Sequence, residues 1–226
     1  MTAVRLLIWG TVGYVLGVGV WVAARQFASP PEAQAVPDGP RSVLWTLRDA
    51  HGAISPGSVL TQAGMAVWGA YASWRAPALP QLVLALLLTG LLTVIILVDF
   101  RVRRIPNEMV LALLVLAAIQ VAWSGQPTPA SAALGLLVAG GIFLLLAILQ
   151  RGAMGAGDVK LAAALGAVLG YPSILSGLFW GIMASGAAAL VLLATRRAGR
   201  KDSMAYGPYL AMGAWIIWTR AWGLWP

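Results

Sequence analysis

The chain has 226 residues and a net charge of +8, with 60% hydrophobic and only 10% charged residues and a mean hydropathy of +0.84. Because a soluble domain carries roughly a quarter charged residues, this composition excludes an ordinary soluble protein and indicates a polytopic membrane protein. The lack of cysteine excludes disulfides and thiolate metal sites, and the single histidine (His51) excludes a multi-histidine metal site. The basic residues are confined to short segments between apolar runs, which indicates membrane topology rather than nucleic-acid binding.

Apolar runs predict an all-α membrane protein with about eight transmembrane helices. A spanning helix needs about 20 apolar residues, and candidate runs lie at 4–22, 59–74, 81–98, 108–123, 131–149, 159–170, 173–194 and 207–224. The run 59–74 is the weakest because it contains Gln62 and many small residues, so whether it crosses the membrane is left open. The run 159–170 is short, and Tyr171-Pro172 separates it from the next run.

The runs divide the chain into an N-terminal membrane anchor (1–22), a short segment predicted to be cytoplasmic (23–58) and a membrane-embedded core (59–226). The first run exceeds the roughly 7 to 15 residues of a signal-peptide h-region, which favours a retained anchor over a signal peptide. Segment 23–58 contains five prolines and is too short for an independent core.

Small residues and tryptophans fit helices packed in a bilayer. Small-residue spacings predict close helix packing, and they occur at Gly13…Gly17, Gly166…Gly170 and Gly177…Gly181. Tryptophans near the ends of the runs predict an interfacial belt, and they are Trp9, Trp21, Trp74, Trp123, Trp222 and Trp225.

The charge distribution predicts the orientation of the chain. Two crossings, 108–123 and 131–149, separate Asp99 from Asp158, so both acids lie at the same membrane surface. The connections 124–130 and 170–172 on the opposite side carry no charge. The acid side carries Arg101, Arg103, Arg104, Arg151, Lys160, Arg196, Arg197, Arg200 and Lys201. The positive-inside rule therefore predicts that the acids face the cytoplasm.

Asp99 and Asp158 are the candidate catalytic residues. Asp99 ends the uncharged run Leu82 to Val98, and Asp158 follows Gly155-Ala156-Gly157 and opens another run. Acids at the ends of membrane segments are costly and usually functional. Two carboxylates that meet can share one proton, so that one activates a water and the other stabilises an oxyanion. This chemistry is peptide hydrolysis without a metal, a thiol or a serine triad.

Each acid also has a structural alternative. Asp99 alone is equally well read as an interfacial acid balanced by the arginines that follow it, and Asp158 as the N-cap of the next helix. Gly155 and Gly157 leave two positions without side chains, which lets the backbone approach an extended substrate strand closely. Asn107 is a candidate local cap.

Three blocks of residues, taken in this order, resemble the bacterial type IV prepilin peptidase family of GxGD aspartyl membrane proteases. The blocks are Asp99 with Arg104-Ile105-Pro106-Asn107, then Gly155-Ala156-Gly157-Asp158-Val159-Lys160, then Gly207-Pro208-Tyr209-Leu210-Ala211. The resemblance covers about residues 80–224. It implies catalytic roles for Asp99 and Asp158, and substrate-binding roles for Gly155, Gly157, Lys160, Pro106, Asn107, Gly207 and Pro208.

The resemblance also implies the biological setting. Members of the family are multi-pass enzymes of the bacterial cytoplasmic (inner) membrane. They cut the basic leader from type IV prepilins or pseudopilins at the cytoplasmic face, typically just after a glycine. The cut serves type IV pilus assembly or protein secretion. The expected partners are a pilin-like membrane helix and the lipid bilayer, without nucleic acid, and the oligomeric state is left open. Acidic residues that are candidates for attracting the leader are Asp49, Glu108 and Asp202.

The chain departs from the family's pattern near its N-terminus. Many members carry a larger cytoplasmic domain whose paired CxxC motifs bind zinc, whereas this chain has the short segment 23–58 and no cysteine. We therefore expect no metal. Many members also methylate the new pilin N-terminus with S-adenosylmethionine, and no residues here indicate that activity. We expect no cofactor unless methyltransferase activity is retained.

Two other functions remain as alternatives. A small proton-coupled transporter would use the same acids as a relay, but carriers bind substrate near the bilayer midplane and both acids lie at one surface. A non-catalytic relative that assists pilus or secretion assembly is the third hypothesis, and the intact acids argue against it.

Overall fold

A computed structural model describes residues 2–28, 56–76, 78–149, 154–196 and 205–224, and this part of the chain is all-helical. Its eight helices are α1 Thr2–Ala28, α2 Pro56–Arg75, α3 Leu79–Val102, α4 Asn107–Ser124, α5 Pro129–Leu149, α6 Ala156–Leu169, α7 Ser173–Ala194 and α8 Gly207–Ala221. Five of them, α1, α3, α4, α5 and α7, are long and apolar enough to cross a membrane. The predicted fold class, an all-α polytopic membrane protein, is confirmed.

Helix α6 is the core helix of its part of the protein. It has 14 residues, which span about 21 Å at 1.5 Å per residue, less than the roughly 30 Å of a bilayer core. Every residue from Ala164 to Leu169 is buried, because α4, α5, α7 and α8 pack around it. The run predicted at 159–170 is thus a short helix enclosed by protein. The weak run predicted at 59–74 forms α2, which is not among the five candidate spans.

The described chain falls into two compact units, residues 1–101 and 102–226. In the first unit, α1 packs on α2 through glycines, as the spacing of Gly13 and Gly17 predicts. A Cβ added to Gly17 would come 2.7 Å from the Cα of Gln62, so only glycine allows this approach. At the other end of α1, the guanidinium of Arg5 donates a hydrogen bond of 3.1 Å to the carbonyl oxygen of Ala76.

In the second unit, glycines again set the helix contacts. Helices α5 and α6 cross where Gly135 and Gly166 face each other, and a Cβ on either would overlap the carbonyl oxygen of the other. A Cβ on Gly177 or Gly181 of α7 would lie 3.4 or 3.0 Å from Cα atoms of α8. Gly170, after α6, has a φ of 70°, which favours glycine. The close packing predicted at these spacings is confirmed.

A buried hydrogen-bond network joins the ends of α4, α6 and α8. The side chain of Gln120, 2% exposed, accepts a 2.9 Å hydrogen bond from the indole Nε1 of Trp218. Its amide nitrogen donates to the carbonyl oxygens of Val168 and Gln126, both at 3.0 Å. The ring of Trp222 stacks on Trp218 at 5.1 Å. Gln120 thereby bonds polar groups from three segments at once, and those of Val168 and Trp218 are buried.

Several boundaries differ from the prediction. Helix α1 continues to Ala28, so the first residues of the predicted segment 23–58 are helical, while residues 29–55, including His51, lie outside the described residues. Helix α6 begins at Ala156 rather than at 159, and α8 ends at Ala221 rather than at 224. The predicted division into an anchor, a cytoplasmic segment and a core stays a prediction.

Candidate active site

Asp99 lies near the C-terminal end of α3 and is only 4% exposed. The predicted helix ended at Val98, but α3 continues to Val102 because no glycine or proline interrupts these residues. Arg103, with a φ of 50°, then ends it in the left-handed conformation. A carboxylate near a helix C-terminus is disfavoured by the helix dipole, and burial of the group adds a further cost. Helix stability therefore does not account for an acid at this position.

The residue two positions further on, Arg101, reaches another helix. Its guanidinium lies 4.5 Å from the ring centroid of Trp21 in α1, and that of Arg25 lies 5.8 Å from the same ring. Trp21 is 5% exposed, so its predicted place in an interfacial belt is wrong. The reason is that α1 extends well beyond this residue and α3 packs against it. Trp74 and Trp123, 63% and 45% exposed, do lie at helix ends as predicted.

Asp158 lies in the first turn of α6 and is partly exposed. Its backbone N–H donates a 3.1 Å hydrogen bond to the carbonyl oxygen of Gly155, which occupies the N-cap position with extended φ and ψ of −71° and 142°. The alternative that Asp158 is the N-cap is therefore wrong, because the helix begins before it. Its charge lies where the positive end of the helix dipole favours an anion, by about 0.3–1 kcal/mol.

The two motif glycines before Asp158 have different surroundings. A Cβ on Gly157 would lie 3.3 Å from the Cβ of Ile105, closer than most real Cβ contacts. Gly155 is exposed, and the nearest side-chain atom to its added Cβ would be the Oδ2 of Asp158 at 3.6 Å. The backbone thus approaches the protein's own Ile105 at Gly157, while Gly155 is open to the surroundings. Sequence reasoning did not identify Ile105 as a partner of this loop.

A hydrogen bond joins the second and first blocks. The Nζ of Lys160 in α6 donates to the Oδ1 of Asn107 at 2.9 Å, and both residues are exposed. Pro106 is the N-cap of α4, with no side-chain cap, so the predicted local cap by Asn107 is not formed. Together with the contact of Gly157 and Ile105, this bond brings residues 105–107 and 157–160 into one cluster.

The third block begins α8. Gly207 and Pro208 are buried, and Pro208 lies in the first turn, as its sequence position predicts. The carbonyl oxygen of Tyr209 lies 3.0 Å from a Cβ added to Gly181, so this end of α8 packs against α7. Helix α8 also packs against α6, which carries Asp158.

Other predicted residues are placed less centrally. Glu108 is exposed in the first turn of α4, beside Asn107. Asp49 and Asp202 lie outside the described residues. Asp99 belongs to the first unit and Asp158 to the second, and their joint action stays a prediction. Across the described ranges, no three His, Cys, Asp or Glu side chains group as metal ligands would, and the expectation of no metal or cofactor stays an expectation.

Comparison with known proteins finds similarity to one family over part of the chain. Residues 86–193 match the Type IV leader peptidase family. The Prepilin leader peptidase/N-methyltransferase of Neisseria gonorrhoeae is 34% identical over 146 residues, which are 62% of this chain and 49% of that protein. The chain thus spans about half the length of this curated relative. No solved structure matches the chain. Asp99 and Asp158 both lie inside the matched residues.

Proposed function

We propose that this chain, which matches the Type IV leader peptidase family over residues 86–193, is a prepilin leader peptidase of the aspartic type. It removes the basic leader peptide from type IV prepilins or pseudopilins. The observation that carries the proposal is the pair of acids at helix ends within the matched residues, Asp99 buried in α3 and Asp158 in the first turn of α6. The helix dipole disfavours an acid at the first of these positions, and a catalytic role is the better explanation of it.

In the proposed reaction the two acids share one proton. The ionised carboxylate accepts a proton from a water molecule as the water oxygen bonds to the scissile carbonyl carbon. The other acid gives its proton to the carbonyl oxygen, which forms a tetrahedral diol. The proton on the first acid then passes to the peptide nitrogen, the C–N bond breaks, and one diol proton returns to the second acid. One water is consumed per peptide bond, and no metal or cofactor takes part. The two acids titrate as a pair, so the pH profile belongs to both.

The proposal includes an orientation. Two candidate spans, α4 and α5, lie between the acids in the chain, which supports placing both acids at one membrane surface. The uncharged connections 124–130 and 170–172 support the opposite side as the outer one. The acids would then face the cytoplasm from the bacterial inner membrane, where a basic leader is available to them.

We assign substrate contacts to the exposed rim around Asp158. Gly155 is open, so its backbone is free to lie beside an extended strand next to the scissile peptide. Lys160 and Asn107 hold each other by their hydrogen bond and would line the same path. Glu108 is exposed beside them and would attract the positive charges of the leader. Pro106, Gly157, Gly207 and Pro208 would support this rim by fixing the helix starts.

The test replaces each acid by its amide in the full chain. Asp99→Asn and Asp158→Asn are purified in detergent and given a prepilin, and cleavage is followed by the mass of the product. General acid–base groups contribute about 10²- to 10⁴-fold to a rate, so we expect kcat to fall by that factor in each variant. Processing at more than a tenth of the wild-type rate in either variant contradicts the assignment.

A matched control is Glu108→Gln, the same carboxylate-to-amide change outside the proposed pair. We expect it to raise KM with little change in kcat, because it removes attraction for the leader and not a reacting group. The new N-terminus is sequenced to locate the cut after a glycine. Adding S-adenosylmethionine to the same reaction shows whether this chain also methylates that N-terminus, an activity that the name of the Neisseria relative includes.

A further inference from the structure

The contact between Arg101 and Trp21 links two helices that are distant in the sequence. The guanidinium of Arg101 lies 4.5 Å from the centroid of the Trp21 ring, well inside the range of a cation–π interaction. The indole Nε1 of Trp21 is buried and makes no hydrogen bond with any described residue. The face of the ring, rather than its N–H group, therefore makes the polar contact of this side chain.

The position of Arg101 relates this contact to Asp99. Residues two apart on an α-helix are separated by about 200° around its axis, because there are about 3.6 residues per turn. Arg101 and Asp99 thus lie on nearly opposite sides of the last turns of α3. A contact that fixes Arg101 against α1 also fixes the rotation of this helix end, and with it the direction in which Asp99 points.

We propose that Arg101 and Trp21 are positioning residues, which hold the end of α3 against α1 so that Asp99 is directed correctly for peptide cleavage. This role rests on the proposed function. It also gives α1 a task in the reaction, because α1 supplies the aromatic ring. The ring is buried while the guanidinium of Arg101 is exposed, so the contact has the ordinary strength of a cation–π interaction and can shift an equilibrium by about fivefold.

The same chain offers a matched pair in which this role is lacking. The guanidinium of Arg75 lies 5.9 Å from the ring of Trp74, but these two residues are neighbours on α2 and the ring is 63% exposed. That pair resembles the first in chemistry and joins no two helices. Substituting Arg75 therefore controls for the loss of one arginine and one cation–π contact.

The first test compares kcat and KM for prepilin cleavage by the full chain. Arg101→Gln and Trp21→Leu should each lower kcat about fivefold with KM little changed, and the double variant should be no slower than either alone. Trp21→Phe keeps an aromatic face and should retain most of kcat, and Arg75→Gln should match the wild type. Unchanged kcat in Arg101→Gln, or equal losses in Trp21→Phe and Trp21→Leu, overturns the proposal.

A second test reads the position of residue 99 without any reaction. The chain has no cysteine of its own and Asp99 is only 4% exposed, so the cysteine of Asp99→Cys should react slowly with a water-soluble maleimide. Adding Arg101→Gln should raise that labelling rate severalfold, whereas adding Arg75→Gln should leave it unchanged. A labelling rate that Arg101→Gln does not change contradicts a positioning role.

The two proposals fail in different ways. If the wild type does not cleave prepilins, or if Asp99→Asn does, the proposed function fails. The positioning of α3 by Arg101 is then still tested by the labelling rate of Asp99→Cys, which should rise severalfold when Arg101→Gln is added. If the wild type cleaves, the acids are essential, and Arg101→Gln changes neither kcat nor the labelling rate of Asp99→Cys, only the positioning proposal is wrong.

Discussion

The crossing of α5 and α6 holds the helix that carries Asp158, and Gly135→Ala should weaken it strongly. A Cβ at this position overlaps the carbonyl oxygen of Gly166 and comes 2.9 Å from the carbonyl carbon of Gly170. Ordinary contacts of a Cβ begin near 3.4 Å, and all of these neighbours are backbone atoms that cannot rotate away. The two helices must therefore separate by about 1 Å along their crossing, a gap that forfeits a quarter to a half of each affected contact.

The magnitude follows from two opposing terms. Overpacking of this kind costs about 1–3 kcal/mol, and the rigid neighbours favour the upper end. Alanine in a helix interior recovers up to about 1 kcal/mol relative to glycine. We expect a net loss of about 2 kcal/mol in the free energy of unfolding.

Two other glycines of the same helix provide graded controls. A Cβ on Gly140 would lie 3.0 Å from the Cβ of Ala163, so Gly140→Ala should be close to neutral, with the helix preference of alanine offsetting the tight contact. Nothing lies within 4 Å of a Cβ on Gly141, and Gly141→Ala should stabilise by up to about 1 kcal/mol. Unfolding by SDS in mixed micelles, followed by far-UV circular dichroism, measures all three. If Gly135→Ala is as stable as Gly141→Ala, the close crossing is not real.

Three more substitutions test the site and its support. Gly157→Ala should lower the unfolding free energy by about 1 kcal/mol and slow cleavage, because its Cβ would press on Ile105 at 3.3 Å. Gly155→Ala should leave stability unchanged, since its backbone is extended and its surroundings are open. Equal stability losses in SDS titration would refute this difference. Gln120→Leu should cost about 2–3 kcal/mol, because it leaves the N–H of Trp218 and the carbonyl oxygen of Val168 buried without this partner. An SDS unfolding midpoint equal to that of the wild type would show that the network contributes nothing.

The sequence predicted the helices and the close-packing glycines because both signals are local. Apolar length marks a helix wherever it lies, and the spacing of Gly177 and Gly181 marks a surface that permits close approach. The partner of such a surface is a matter of three-dimensional packing. Nothing in the sequence indicates that Gly166 meets Gly135, or that Gly157 meets Ile105.

The candidate site was predictable as a set of residues and not as an arrangement. Asp99 and Asp158 stand out because charge is rare in apolar runs. The N-cap of α6 is Gly155 rather than Asp158, and no local pattern indicates this because a glycine N-cap leaves no side-chain signal. Arg101 was interpreted as a topology residue, and its pairing with Trp21, 80 positions earlier in the chain, carries no local pattern.

The enclosure of α6 bears on how water would arrive in the proposed cleavage. Four helices pack around its length, while Gly155, Ala156 and Lys160 at its start are exposed. Water would therefore reach Asp158 over the tip of this helix rather than along its enclosed length. The proposed hydrolysis needs such an inlet, since its second reactant is a molecule that the bilayer excludes.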